Sequence, residues 1–314
     1  LNALKIDEQN VAALTGLTKI AEKKGDYNQM FGLLQRLYRI DPKNVRVRLD
    51  MAKLYLLGNE AASALDLADP VIAEDPKNAE ALAVKAAILF RLENSAEAIV
   101  LARQALAIDP TVSDAVAVLA SERVKEKDFE GALAFLDEAL AREDAAPVLQ
   151  LLRVQVLTSL GRTDDVNGAY DLLVKSDPED ANYRRLYVTS LIEQGKLEES
   201  RAQLVEIARL LPKQNEAKLD IVRLDYRIGG REKAEATFKA TIAENPDEVD
   251  LKFAYGAFLR EEKDAAAAER VYAEIAGRKG AELDEVLRAK NEIAAIRIGD
   301  GKRAEAEAIV AEIL

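Results

Sequence analysis

Apolar residues recur along the chain at three-to-four-residue spacing, in stretches separated by short polar turns. Between residues 79 and 112, Leu82, Ala86 and Leu89 make one stripe, and Ala98, Ala102, Ala105 and Leu106 make another. Each stripe predicts an amphipathic helix that turns one face to a neighbour. Between the two stripes lies Glu93-Asn94-Ser95, and the same kind of turn returns as Lys24-Gly25-Asp26, Gly58-Asn59, Lys127-Asp128, Gly161-Arg162, Gln194-Gly195-Lys196, Gly229-Gly230 and Lys263-Asp264. Glycine there is expected to end the first helix of a pair, and Asp or Asn to cap the second.

The pairs repeat with a fixed period. Pro42, Pro76, Pro110, Pro178, Pro212 and Pro246 are separated by 34, 34, 68, 34 and 34 residues. Counting back from Pro42 by the same step reaches Glu8, and counting on from Pro246 reaches Gly280. Proline has no N–H and pushes the preceding residue out of the α region, so a helix running into Asp41, Asp75, Asp109 or Asp177 must stop. Asn10, Asn44, Asn78 and Asp180 then stand where the next helix needs an N-cap. The one missing beat falls at Asp144, where Pro147, at the first position of the next helix, takes over the punctuation. A period sustained in this way marks an array of identical supersecondary units. Its expected partition is a tail of a preceding repeat at 1–10, eight full repeats over 11–282, and a last, incomplete helix pair over 283–314. That last unit aligns with a start near Glu285, which puts Gly299 in the turn and Ala304 at a small-residue position. A two-residue insertion between Gly277 and Asp284 is left over as the expected hinge.

Small and aromatic residues hold fixed phases within the repeat. The eighth residue is Ala52, Ala86, Ala120 or Gly256, against Thr18, Val154, Val188 and Val222. The twentieth is Ala64, Ala98, Ala132, Ala234, Ala268 or Ser200, against Met30 and Val166. An aromatic survives at the eleventh position as Tyr55 and at the twenty-fourth as Tyr170, Phe238 and Tyr272, while no tryptophan stands at the fourth. With the period and the terminal prolines, these residues make the chain resemble the tetratricopeptide repeat superfamily along its whole length. The resemblance implies an all-α, right-handed superhelical solenoid of antiparallel helix pairs, with the first helix of each pair lining a concave groove.

Composition narrows the functions. The chain carries 49% hydrophobic and 32% charged residues, with a net charge of −12. The charge argues against a general nucleic-acid binder, which needs a cationic surface, and it serves solubility. No run of about 18 apolar residues offers a membrane span. With no Cys and no His, disulfides, thiolate chemistry, Cys/His zinc sites and His-based triads are all excluded. No phosphate loop or calcium loop occurs, so the chain reads as non-catalytic, with no cofactor and no metal. Missing cysteine leans towards a periplasmic or envelope setting without fixing the compartment. The chain opens on Leu1 in the last third of a repeat and closes short of the next stop signal, so it reads as a piece of a longer array. Its ends are expected to associate through Leu1, Leu4, Ile309, Ile313 or Leu314, since natural arrays finish in polar caps.

The resemblance also says where a partner would sit, because positions 2, 5, 6, 9, 12 and 13 of each first helix face the groove in the family. In repeats two to six these positions supply Leu49, Lys53, Leu56, Val84, Phe90, Val118, Val124, Leu151, Leu152, Gln155, Leu186 and Ile192. Apolar residues in such numbers mark either a partner surface or padding of the core. Further on, Arg185, Arg223, Tyr226, Arg227 and Arg260 take groove phases, suited to a carboxylate or peptide through bidentate bonds and stacking, or else to ion pairs with Asp220, Glu216 and Glu261. The Lys/Asn/Arg clamp of chaperone-tail receptors is not spelled, since Asp220 and Asp250 stand where Asn and Lys should be. The expected function is a protein or peptide interaction scaffold. The Ala-rich, acidic repeats also resemble those of bacterial envelope and exopolysaccharide-secretion assemblies; the competing reading is a regulatory or targeting arm of an enzyme.

Overall fold

The three-dimensional structure is a computed structural model that describes residues 7–142 and 147–312. The described residues form seventeen helices and no strand. They run in sequence-adjacent pairs: α1 Val11–Lys23 with α2 Tyr27–Ile40, α3 Val45–Leu57 with α4 Ala61–Glu74, α5 Ala79–Arg91 with α6 Ser95–Ile108, and α7 Ser113–Lys125 with α8 Phe129–Leu140. There follow α9 Pro147–Ser159 with α10 Thr163–Ser176, α11 Ala181–Glu193 with α12 Leu197–Leu210, and α13 Glu216–Glu244, which joins two helices across Gly229 and Gly230. The chain ends with α14 Val249–Glu261 and α15 Ala265–Ala276, then α16 Leu283–Gly299 and α17 Arg303–Ala311. It divides into two compact units, 1–183 and 184–314, with the division inside α11.

The predicted punctuation is present in the caps. The side chains of Asn10, Asn44 and Asn78 accept from the backbone N–H groups of Ala13, Val47 and Ala81 at 2.9, 3.1 and 2.9 Å. Asp26, Asp128 and Asp264 cap second helices through Gln29, Gly131 and Ala267 in the same way. These bonds satisfy donors that every helix start leaves open. Pro147 is the first residue of α9; Asp144, the missing beat, lies outside the described residues. Proline alone is not a stop, however, because Pro70 sits inside α4.

The small-residue phases are where helices touch. Ala52, Ala86 and Ala120 on the first helices, and Ala64, Ala98 and Ala132 on the second, are fully buried. Where Thr18 replaces the small residue, its hydroxyl turns back to the Leu14 carbonyl at 3.0 Å. Gly256 marks the closest approach: a Cβ there would lie 2.6 Å from the ring of Tyr272, itself fully buried. The small eighth position and the aromatic twenty-fourth are therefore one packing unit.

Two details differ from expectation. Each turn inside a pair holds one residue in the left-handed region, which glycine occupies at Gly25, Gly161, Gly195, Gly230 and Gly301; Asn59, Glu93, Lys127 and Lys263 hold it elsewhere. In the Gly58-Asn59 turn it is Asn59, with φ of 62°, and not the glycine that adopts it. The last unit differs more. Its first helix begins at Leu283, and the left-handed turn residue is Gly301 where Gly299 was expected. The buried small residue of α17 is Ala306, while Ala304 is exposed. Extra residues are taken up in a longer α16, 17 residues against 13 in α14. An insertion of about one helical turn, ~3.6 residues, returns the chain to the same face, whereas a two-residue one would rotate the stripe away from its neighbour. Leu1, Leu4, Ile313 and Leu314, named for end-to-end association, lie outside the described residues, and Ile309 is half-buried.

Candidate functional site

In the first unit, first helices pack on one another as well as on their partners, α5 lying against both α3 and α7. Their same-phase side chains open a cavity of about 710 Å³. Of the predicted residues, Lys53 and Leu56 from α3, Val84 and Phe90 from α5, and Val118 from α7 line it together. Leu49 and Val84 are 0% and 1% exposed. They pad the wall, because a first helix packed on both sides buries the middle of its apolar stripe. Leu152 is half-buried and Gln155 exposed on α9, and neither lines this cavity; α9 reaches it through Val148.

Charge is arranged unevenly around this groove. Lys53 Nζ lies 2.7 Å from Asp114 and 3.5 Å from Glu80. Burial by itself would lower the Lys53 pKa, but the two carboxylates outweigh it and hold it above the ordinary value. The ammonium is thus spoken for. Arg91 has no acidic partner within 4 Å among the described residues, and Lys125 donates to Ser95 Oγ at 3.0 Å, with its ammonium 5.8 Å from the Phe90 ring. Three cations and two carboxylates line the groove in a chain whose net charge is −12. Asp114 and Val148 sit at position 2 of their repeats, and Leu57, Arg91 and Lys125 at position 13. Both phases face the groove in the family, so the spacing that singles out Lys53 and Phe90 also marks these residues, which stand at the two ends of their helices.

The ends of the same unit meet. Lys23 Nζ is 2.6 Å from Asp177, and the Asn182 side chain donates to the Lys23 carbonyl at 3.3 Å. Beside them the Tyr183 phenol is pushed up to about 12, mainly by burial and then by Asp180 and Asp177.

The second unit carries a different groove. Arg223, Tyr226 and Arg227 of α13 line a cavity of about 570 Å³ that Phe258 of α14 and Phe238 close from below. Tyr226 stands edge-on to Phe258 at 6.0 Å, and Phe258 lies 5.3 Å from Phe238. The Tyr226 hydroxyl donates to Glu262 at 2.8 Å, which holds the phenol above its ordinary pKa. Arg223 pairs with Asp220 at 2.6 Å, an exposed contact along one helix. Arg227 is exposed and has no acidic partner within 4 Å among the described residues. Arg260 lies outside the cavity and pairs with Glu292, and Arg185 donates to Gln214 at 3.3 Å. The ion-pair alternative therefore holds for Arg223 and Arg260, though Arg260 pairs with Glu292 and neither Glu216 nor Glu261 takes part. Ala254 and Ala257, which leave the space open, sit at groove positions 6 and 9 of repeat eight.

Behind this groove lies a feature that period and phase did not disclose. Asp225, fully buried, accepts from Arg201 at 2.7 and 3.0 Å and from Thr237 at 2.7 Å, with Lys233 3.5 Å away. Burial alone would raise its pKa, but these donors and cations outweigh it and leave it below the ordinary carboxylate value. Among the described residues no cluster of acidic side chains is suited to a metal, and no helix is long and apolar enough to cross a membrane.

Comparison with known proteins places this geometry. No curated protein matches the sequence. Among solved structures the chain is similar to one in the crystal structure of the APC/C hetero-tetramer Cut9-Hcn1, at 14% identity and a TM-score of 0.54, over 92% of this chain and 57% of that one. The chain thus spans somewhat more than half the length of that relative, and the likeness shows the fold. Weaker likenesses are to YrrB, a TPR protein with an unusual peptide-binding site (19% identity, TM-score 0.40, 60% of this chain and 97% of that one), and to PilW, a type IV pilus biogenesis factor (17%, 0.46, 68% and 99%). Tetratricopeptide repeat models match residues 23–88, 123–188 and 219–282, together more than half of the sequence. With its paired helices, caps and small-residue contacts, the chain belongs to the tetratricopeptide repeat family.

Proposed function

We propose that the chain is a non-catalytic scaffold that binds a peptide segment of a protein partner in the groove of its first unit. The observation that supports this is the joint lining of one cavity by Leu56, Phe90 and Val118, residues at groove phases from three successive first helices. Exposed Leu57 and Val148 extend the apolar surface at its mouth. Such a surface takes two or three apolar anchors of an extended or helical segment, and anchors of this kind usually dominate the binding energy. Arg91 and Lys125 favour an acidic residue beside those anchors, because Lys53 is already neutralised by Asp114. Eight repeats over 11–282 with a further pair from 283 is the partition that goes with this reading.

Selection of a displayed library of random dodecapeptides on the 314-residue chain tests it. Selected peptides are expected to share apolar anchors, to lose affinity with Phe90→Ala at every salt concentration, and to be indifferent to Arg103→Ala on an exposed face of α6. Peptides that ignore Phe90→Ala and depend on Arg103 would move the function to the other face. The proposed setting, a bacterial envelope or secretion assembly, rests only on the texture of the Ala-rich acidic repeats. A signal peptide or lipoprotein cysteine upstream in the full reading frame supports it; a catalytic domain at either end supports the regulatory arm instead.

A further inference from the structure

The groove of the second unit is polarised across its width. Its α13 wall carries Arg223 and Arg227, and its α14 wall carries Glu261 and Glu262, with an apolar floor of Val222, Phe238 and Phe258 between them. Two of the four charges are engaged locally: Arg223 by Asp220, and Glu262 by the Tyr226 hydroxyl. Arg227 and Glu261 are exposed, one on each wall, and neither has an oppositely charged partner within 4 Å among the described residues. The floor is recessed because Ala254 and Ala257 stand where larger side chains would fill it. Packed helices lie about 8–10 Å apart, and an extended peptide advances ~3.3 Å per residue. A peptide crossing from α13 to α14 therefore spans the two walls in about three residues.

We infer that this pocket is a second, charge-polarised peptide site, which takes an extended segment with an acidic residue at Arg227, a basic residue about three positions away in either chain direction at Glu261, and an apolar side chain between them on the Phe238–Phe258 floor. A run of acidic residues is disfavoured, since its second carboxylate would meet Glu261 and Glu262. A wholly basic segment is disfavoured by Arg227 and Arg223 for the same reason. Like charges brought together on one wall thus select a segment with one acidic and one basic end, as opposed charges do in other interfaces. The inference shares with the proposed function the premise that the first-helix face binds peptide, but it concerns a separate groove with separate residues.

The test uses fluorescence anisotropy of labelled, end-capped peptides with the core Asp-Leu-Phe-Lys, the like-charged core Asp-Leu-Phe-Asp, and a core with Asn and Gln in place of the charges. The 314-residue chain is expected to bind the first about five- to tenfold more tightly than the other two at low salt, the effect of two exposed charge contacts. Arg227→Ala should shrink the difference between the first and third peptides to about two- to threefold, the share of the remaining contact with Glu261. Glu261→Arg, at an exposed position, should reverse the preference between the first two. Ala257→Leu should abolish binding of all three while the circular dichroism spectrum stays helical. Phe90→Ala should change none of these affinities, which separates failure here from failure of the first-unit groove. Equal binding of the first two cores, a preference that survives Glu261→Arg, or no binding of any core overturns the inference. Self-association that Ala257→Leu abolishes, without peptide binding, would also overturn it by assigning the pocket to a second copy of the chain.

Discussion

The grooves of the two units are built from equivalent helix positions and differ in what those positions carry. In the first unit, positions 6 and 12 supply Val84, Val118, Leu56 and Phe90, and the central cation, Lys53, is matched by Asp114 at 2.7 Å. In the second, positions 9, 12 and 13 of repeat seven supply Arg223, Tyr226 and Arg227 above two phenylalanines, and Arg227, like Arg91 in the first, has no acidic partner within 4 Å among the described residues. The same contrast runs behind the grooves. Helix contacts in both units are closed by alanines at 0% exposure, from Ala52 to Ala132 in the first and at Ala234 and Ala268 in the second, but the second unit also buries Asp225 with Arg201 and Thr237 between α12 and α13. A helix pair can thus be held together by near contact of small residues or by a satisfied polar network. The first is robust to charge and sensitive to volume. The second is sensitive to charge, because each member depends on the others being present.

Asp225→Ala attacks the polar side of that comparison and has the largest expected effect. It strips the counter-ion from Arg201 and Lys233, which are about one-third exposed, so the loss should be about 3 kcal/mol, the low end for a broken buried pair. Hydrogen exchange should show protection falling in α12 and α13 and unchanged in α3 to α8; a uniform fall would mean the network is not local. The same carboxylate gives a pH signature. Its folded pKa lies below the unfolded value, so its contribution is complete above about pH 4 and is lost as pH falls through the folded value. Asp50 and Asp180 of the first unit are raised, chiefly by burial, and contribute in the opposite sense, favouring the folded state more as pH falls. Exchange measured from pH 6 down to about pH 3 should therefore find the second unit loosening first.

Volume is the lever on the other side. Ala98→Leu or Ala132→Leu in the first unit should cost about 1–3 kcal/mol by forcing helices apart, and Gly256→Ala should cost a similar amount, because its new Cβ meets the Tyr272 ring. Exposed Glu97→Gln should leave the urea midpoint almost unchanged, and equal midpoints for all four variants would break the assigned packing. A smaller effect of opposite sign is expected at Ser200, the polar occupant of the small position in the second unit. Its hydroxyl is fully buried and has no hydrogen-bond partner among the described residues, so Ser200→Ala should raise stability by about 1 kcal/mol in urea unfolding. Smallest of all, Lys127→Gly should stabilise by roughly 0.5 kcal/mol, because φ of 64° strains a residue with a Cβ and suits glycine.

Much of this could be read before any coordinates, for local reasons. The stop prolines, the Asn caps and the apolar stripes act within a few residues of themselves, so helix starts at Val11, Val45, Ala79 and Pro147 follow from chain-local chemistry. The groove phases brought Leu56, Phe90, Arg223 and Tyr226 to cavity walls. Leu49 went into the core instead, because phase gives the direction of a side chain and not how closely the next helix covers it. The two-residue insertion expected before α16 became about one extra turn of helix, since packing of α16 against α15 and α17 selects whole turns.

Taken alone, the sequence determined the repeat, its period, the helix pairing and the small-residue contacts, because each depends on backbone preferences and spacing within one unit. Tertiary structure decided which charges cancel. Lys53 meets Asp114 from two repeats on, Lys23 meets Asp177 from the far end of its unit, and Arg201 finds Asp225 across a helix interface. Pairing of this kind depends on distances of a few ångströms between residues far apart in the chain, set by the angle at which one helix pair stacks on the next. No periodicity encodes that angle, and so the unmatched charge of Arg227, on which the specificity of the second groove turns, appears only when the chain is folded.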